Sequence, residues 1–327
     1  MQYKLLGKTG VQISQFGFGT MLFGGEANEK ASQALFERCR EVGINFFDCA
    51  NIYMDGRSEE ILGKLIYDCR DEIILTTKGY GPIGSDINAK GSSRLYLRRA
   101  IEGSLRRLNT DYIDLYFLHN FDNKTPIEET LRALDDLVAQ GKILYIGASN
   151  FAAWQVAKAL GVSAKEGLAR FECIQPMYNL AKRQAEVELL PMALSEQVGV
   201  VPYNPLGGGL LTGKYGVERR PDNGRLLKVD MYKLRYGDPI MYEIAERFTS
   251  FAQERGYDPV GLAVAWVAAH PAVTSPILGA RNVQQLEGSL KALDIDMTPD
   301  LYAEISALSP TPPPATDRSE ERIGPKF

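Results

Sequence analysis

The chain has 327 residues, 45% of them hydrophobic, and a formal net charge of −4. That length exceeds an average domain but suits one large α/β barrel, and the apolar share supports a substantial core. The acidic balance argues against a nucleic-acid partner, no apolar run reaches membrane-spanning length, and the start Met1-Gln2-Tyr3-Lys4 is not a signal peptide.

Lys4-Leu5-Leu6 and Val11-Gln12-Ile13, joined across Lys8-Thr9-Gly10, read as an N-terminal β-hairpin. Phe16-Gly17-Phe18-Gly19-Thr20 reads as a first inner strand, followed by a helix from Asn28 to Glu41. Ile44 to Phe47 is a short apolar run ending on Asp48, the pattern of a buried parallel strand. A helix opens at Ser58-Glu59-Glu60-Ile61, Ile73 to Thr77 is a strand, Ser93 to Leu108 an amphipathic helix, and Ile113 to Leu118 a strand.

Pro126 marks the first turn of a helix that Gly141 ends. Strands near Ile143, Cys173 and Val200 alternate with helices through Trp154 and from Val187 to Gln197. Leu206 to Pro239, rich in glycine and charge, is expected to be an irregular insert over a site. Helices over Ile240–Glu254 and Pro259–His270, a last strand Ser275–Leu278, and helices over Val283–Leu293 and Pro299–Leu308 complete the pattern. Eight strands, each followed by helix, predict an α/β chain folded as a (β/α)8 TIM barrel with extra C-terminal helices. A doubly wound sheet is the alternative, but no GxGxxG turn follows an early strand. Residues 1–327 are read as one domain, with an irregular proline-rich tail from Ser309.

Four cysteines (Cys39, Cys49, Cys69, Cys173) without a CxxC pair, and only two histidines, give no expectation of a metal site and suggest reduced thiols in a cytoplasm. Cys49 is read as a small buried hydrophobe and His270 as structural. Three strands instead deliver ionisable groups at or just past their C-terminal ends: Asp48, Lys78 and His119, with Tyr53 in the loop five residues after Asp48. Singly, each has an ordinary role as cap, solvated charge or packing residue. Together they make a proton-transfer set. A phenol is a poor proton donor near neutrality, an adjacent ammonium is expected to lower its pKa, a carboxylate holds the ammonium, and an imidazole orients a carbonyl oxygen.

At these residues the sequence resembles the aldo-keto reductase superfamily over nearly its whole length. Phe46-Phe47-Asp48-Cys49-Ala50-Asn51-Ile52-Tyr53 is similar to the FDTAxxY segment, with Cys49 for threonine, and Tyr112 to His119 to the YxDLYxxH segment. Gly147-Ala148-Ser149-Asn150-Phe151 is similar to GxSNF, and Tyr203-Asn204-Pro205-Leu206 to YSPL, with Asn204 for serine. The resemblance implies carbonyl reduction with NADP(H), or the reverse oxidation. Tyr53 would be the general acid, Asp48 and Lys78 would tune it, and His119 would orient the substrate.

The cofactor would lie extended across the barrel mouth. Ser149, Asn150 and Gln175 would hold the carboxamide and Tyr203 would stack on the nicotinamide, with Gly19, Thr20, Met21 and Asp48 close by. The turn holding Asn204, Pro205, Leu206, Gly208 and Leu210, with Lys214 and Arg225, would face the pyrophosphate. Arg281, at the start of the final helix, would grip the 2′-phosphate, with Gly279 and Gln285 as further cofactor-binding residues. Gly288-Ser289 replaces the usual Glu-Asn adenine pair, so NADP preference rests on Arg281 with Lys214. Phe23, Tyr80, Phe121 and Tyr178 follow strand ends and suggest an aromatic-lined substrate pocket. The rival reading is a nicotinamide-binding redox sensor or regulatory subunit resembling potassium-channel β subunits.

Overall fold

The computed structural model describes residues 1–318 and 320. A hairpin, β1 (Tyr3–Leu5) with β2 (Gln12–Ser14), pairs antiparallel with Lys4 opposite Ile13. The chain then alternates: β3 (Gly17–Gly19), α1 (Glu29–Glu41), β4 (Phe46–Asp48), α2 (Arg57–Ile66), β5 (Ile74–Gly79) and α3 (Arg94–Leu108). Next come β6 (Ile113–Leu118), α4 (Ile127–Ala139), β7 (Ile143–Ser149), α5 (Ala153–Glu166), β8 (Phe171–Gln175) and α6 (Leu189–Glu196). After β9 (Gly199–Val200) lie α7 (Arg225–Lys228), α8 (Asp230–Tyr236), α9 (Pro239–Glu254) and α10 (Pro259–Ala269). β10 (Ile277–Leu278), α11 (Val283–Leu290) and α12 (Pro299–Ser306) follow.

β3 to β10 form one eight-stranded parallel sheet in the order β10-β3-β4-β5-β6-β7-β8-β9. Its two end strands are linked in turn. The N–H groups of Thr274 and Ser275 donate to Val200 O at 2.8 and 3.2 Å, and Ile277 N donates to Pro202 O at 2.9 Å. Several helices start where a side chain takes up a free N–H group: Asn28 caps α1, Ser93 caps α3 and Asp258 caps α10.

Strand side chains alternate between two apolar clusters. Phe46, Leu115, Phe117, Cys173, Val201 and Ile277 fill one, joined by Leu6 and Ile13 of the hairpin region. Their neighbours, including Phe47, Leu75, Tyr116 and Ile174, belong to the other, against the helices. The hairpin therefore packs on the inner face of the sheet.

The insert departs from expectation. Residues 206–238 carry α7 and α8 rather than irregular chain, and Tyr232 and Tyr236 of α8 are buried and stack at 6.5 Å. The last strand and the final helices are shorter than expected: β10 spans Ile277–Leu278, α11 gives way at Leu290 to a 3-10 turn over Lys291–Asp294, and α12 ends at Ser306. Residues 309–318 hold no helix or strand, while residues 319 and 321–327 of the expected tail lie outside the described residues.

Candidate active site

Register decides which side chains meet. Phe46 pairs with Ile74 and Asp48 with Thr76, while Lys78 pairs with Phe117. Counting in twos from the inner residues Phe46, Leu115, Phe117 and Cys173, the inner face also receives Asp48, Thr76, Lys78, His119 and Gln175. All five lie at the C-terminal rim of the sheet, where apolar packing gives way to polar groups.

Lys78 is fully buried. Its ammonium donates to Asp48 Oδ2 at 2.6 Å and to Cys49 O at 2.6 Å, and approaches the Tyr53 hydroxyl at 3.4 Å. Asp48 Oδ1 accepts from Thr76 Oγ1 at 2.7 Å and from Gln175 Nε2 at 2.9 Å, so both carboxylate oxygens are held. Tyr53 begins a tight turn in which Met54 and Asp55 adopt φ of 48° and 54°, left-handed values uncommon for non-glycine residues. The turn aims the phenol back over Lys78, and its ring meets the His119 ring edge-on with centroids 6.1 Å apart.

The electrostatics correct one expectation. Burial pushes the Tyr53 phenol up to about 12, and Lys78, which pulls it down, only partly offsets this while Asp48 adds to it. For Lys78, burial favours the neutral amine, but the charges of Asp48 and Tyr53 prevail and its pKa is raised. His119 is held down to about 3, first by burial and then by the Lys78 charge, so it is a neutral imidazole. Its Nδ1 is buried without a partner.

The other polar residues of the rim form a network. Ser149 Oγ donates to Gln175 O at 3.0 Å. Asn150 Nδ2 donates to His119 O at 3.0 Å, and Asn150 Oδ1 accepts from the Tyr203 hydroxyl at 2.7 Å. Neither Ser149 nor Asn150 caps a helix: Ala152 precedes α5, and Asn150 has φ 58°. Asn204, also at φ 58°, leaves its Nδ2 buried and unpartnered. Thr20 is buried, its hydroxyl bonded to Asp48 O at 3.1 Å and close to Ser58, with Gly19 and Met21 beside it in the chain.

Gly207, Gly208 and Gly209 all have positive φ, and a Cβ on Gly208 would sit 2.6 Å from the Tyr232 ring. Pro205 and the Leu210 side chain are buried, Leu206 is half-buried, and Lys214 is exposed. Arg225 and Arg281, 56 residues apart in sequence, meet on one acceptor: Glu26 pairs with Arg225 Nη2 at 3.3 Å and with Arg281 Nε at 2.9 Å. Gln285 Oε1 accepts from Arg281 N at 3.1 Å, and Gly279 is open to the surface of the fold. Ser289 is buried and Gly288 faces Val260 of α10.

Two aromatic expectations fail. Phe23 and Tyr178 are fully buried, Phe23 against Phe18 and Tyr178 against Trp266 and His270, with the Tyr178 hydroxyl on Glu186 at 2.7 Å. Following a strand end in sequence did not place them at the opening. Tyr80 and Phe121 are half-buried, and Phe121 packs edge-on against Phe151 and the exposed Trp154.

Cys49 is buried, its thiol 3.2 Å from Ser58 Oγ and pushed up to about 12 by burial, so the small-hydrophobe reading agrees with its surroundings. Sequence reasoning missed Thr76, although it lies two residues before Lys78 on the same strand face. It also missed Glu59, fully buried between Thr77 Oγ1 (2.6 Å) and Arg107 Nε (2.7 Å), and Glu26, for which no local pattern gives a signal.

The chain matches the model of the aldo/keto reductase family over residues 15–310. It is 36% identical to the uncharacterized oxidoreductase YrpG of Bacillus subtilis, covering 95% of this chain and 97% of that one. A probable voltage-gated potassium channel subunit beta of Oryza sativa is 35% identical over 97% of this chain and 99% of its own length. A norsolorinic acid reductase of Aspergillus flavus is 33% identical over 94% of this chain and 80% of its own.

Proposed function

The chain belongs to the aldo/keto reductase family, and on that premise we propose that it reduces an aldehyde or ketone to an alcohol with NADPH, or runs the reverse oxidation. The observation that carries the reading is the buried Lys78 ammonium held between Asp48 and the Tyr53 hydroxyl at the rim of the sheet. Tyr53 would donate the proton to the carbonyl oxygen, and Lys78 would stabilise the phenolate left behind. Asp48, fixed by Thr76 and Gln175, keeps Lys78 charged in a buried place. Neutral His119 would donate a hydrogen bond to the same oxygen and set its orientation.

The residues present fit a nicotinamide dinucleotide. His119 Nδ1 and Asn204 Nδ2 lie buried and unpartnered near the rim, and two arginines converge where a phosphate would be balanced. Ser149, Asn150, Gln175 and Tyr203 would hold the nicotinamide end, the glycine turn 207–209 would admit the pyrophosphate, and Arg225 and Arg281 would hold the 2′-phosphate. When bound, the cofactor supplies the hydride that reaches the carbonyl carbon. Half-buried Phe121 beside exposed Trp154 offers apolar contact to a substrate.

The test is a panel of aldehydes and ketones followed by NADPH absorbance, with Tyr53→Phe as control. Likeness over nearly the full length to a potassium channel β subunit keeps a second reading open, a nicotinamide-binding redox sensor. Tight cofactor retention with slow turnover of every carbonyl would favour it.

A further inference from the structure

Away from Lys78, one carboxylate ties together three distant parts of the chain. Glu26, in the loop after β3, uses one oxygen for Arg225 of α7 (3.3 Å) and the other for Arg281 just before α11 (2.9 Å). These side chains stay accessible: 47% of Glu26 and 43% of Arg281 face solvent, with 19% of Arg225. Two guanidinium groups on one carboxylate leave a positive charge uncompensated. A phosphate monoester, with a charge near −2 and three acceptor oxygens, balances both.

The loop does not need Glu26 to keep its shape. Gly24 N donates to Ala27 O at 2.8 Å, Ala27 N donates to Leu22 O at 3.0 Å, and Phe23 and Ala27 form a bridge. Ion pairs this exposed add little to stability, so two on one side chain are better explained by the arginines than by the loop. Arg225 also lies 5.5 Å over the Tyr232 ring, a contact that keeps it in place when its carboxylate partner leaves.

We propose that Glu26 is a placeholder for the cofactor's 2′-phosphate. It offsets part of the charge of Arg225 and Arg281 when that phosphate is absent, is displaced when it arrives, and so lowers the preference for NADPH over NADH that the two arginines would otherwise give. The inference rests on the cofactor reading proposed above. It makes Glu26, which lies outside the proton-transfer cluster, a determinant of cofactor specificity.

The test is calorimetric titration of the full chain and of Glu26→Gln with NADPH, NADH, 2′,5′-ADP and 5′-AMP. Removing a competing exposed carboxylate is expected to tighten NADPH and 2′,5′-ADP by about 3- to 10-fold and to change NADH and 5′-AMP by less than about 2-fold. The advantage should shrink at high salt. NADPH binding that is unchanged or weaker in Glu26→Gln overturns the placeholder and leaves the cofactor reading standing. Equal tightening of NADPH and NADH overturns the link to the 2′-phosphate. A wild-type chain that binds neither dinucleotide overturns both readings.

Discussion

Replacing Lys78 by methionine removes the buried ammonium while keeping a side chain of similar length. At the 3.4 Å separation from the Tyr53 hydroxyl and an effective dielectric of about 20, the attraction to a phenolate is about 5 kcal/mol. If about half of that loss of acidity is felt in the transition state, the reduction slows by about 2.5 kcal/mol, on the order of 10²-fold. The same change strands the Asp48 carboxylate, 3% exposed, with only the neutral donors Thr76 and Gln175. An uncompensated buried charge costs about 3–5 kcal/mol, so the single variant is expected to be both slow and less stable.

The double variant Asp48→Asn with Lys78→Met separates these effects. It removes both charges, so urea unfolding should show most of the stability restored, while kcat for carbonyl reduction stays low. Steady-state kinetics and urea titration of wild type, the single variant and the double variant form the assay. Recovery of activity together with stability in the double variant would refute the reasoning, since Lys78 would then be only a counter-ion for Asp48. A single variant within tenfold of wild type would do the same.

Tyr53→Phe keeps the ring and loses the transferable proton, so turnover should fall by at least about 10²-fold with dinucleotide binding retained; near-normal turnover would remove Tyr53 from the mechanism. His119 has a folded pKa of about 3 against an ordinary 6.5, so between those values the unfolded chain binds a proton that the folded chain refuses. Its contribution to stability is present above pH 6.5 and is lost as pH falls toward 3, with a slope of up to about 1.4 kcal/mol per pH unit. Urea unfolding from pH 7 to pH 4.5 should therefore be less steeply pH-dependent in His119→Asn than in wild type, and equal slopes would count against the buried neutral imidazole. Arg281→Ala should weaken NADPH about 10-fold and spare NADH, a modest figure because Arg281 is partly exposed and already shared with Glu26. Equal losses for the two cofactors would sink its assignment.

That Asp48, Tyr53, Lys78 and His119 come together was legible in the sequence because a parallel strand is a regular object. A run such as Phe46-Phe47-Asp48 places a carboxylate at a strand end, and period-two alternation carries Lys78 and Gln175 to the same face once the strands are in register. Segment order, spacing and strand-end chemistry therefore sufficed for Asp48, Tyr53, Lys78 and His119 to be chosen together. They did not suffice for the phenol's acidity. Lys78 acts on Tyr53 in the direction its charge dictates, but the larger opposing effect is burial, a property of everything packed around the ring.

Loops follow no period, so tertiary structure alone placed their side chains. Phe23 and Tyr178 follow strand ends as Phe121 does, yet they are sealed in the core while Phe121 stays half-buried beside Trp154. Gly288 and Ser289 face α10 and the interior because α11 packs there. Glu26 reaches an arginine 199 residues away, and no local pattern in either segment encodes that meeting. Local repeats in the sequence set which residues share a strand face. Which loop side chains share a charge is fixed only when the insert and the loop after β3 fold toward each other, because an ion pair depends on distance in space and not on spacing along the chain.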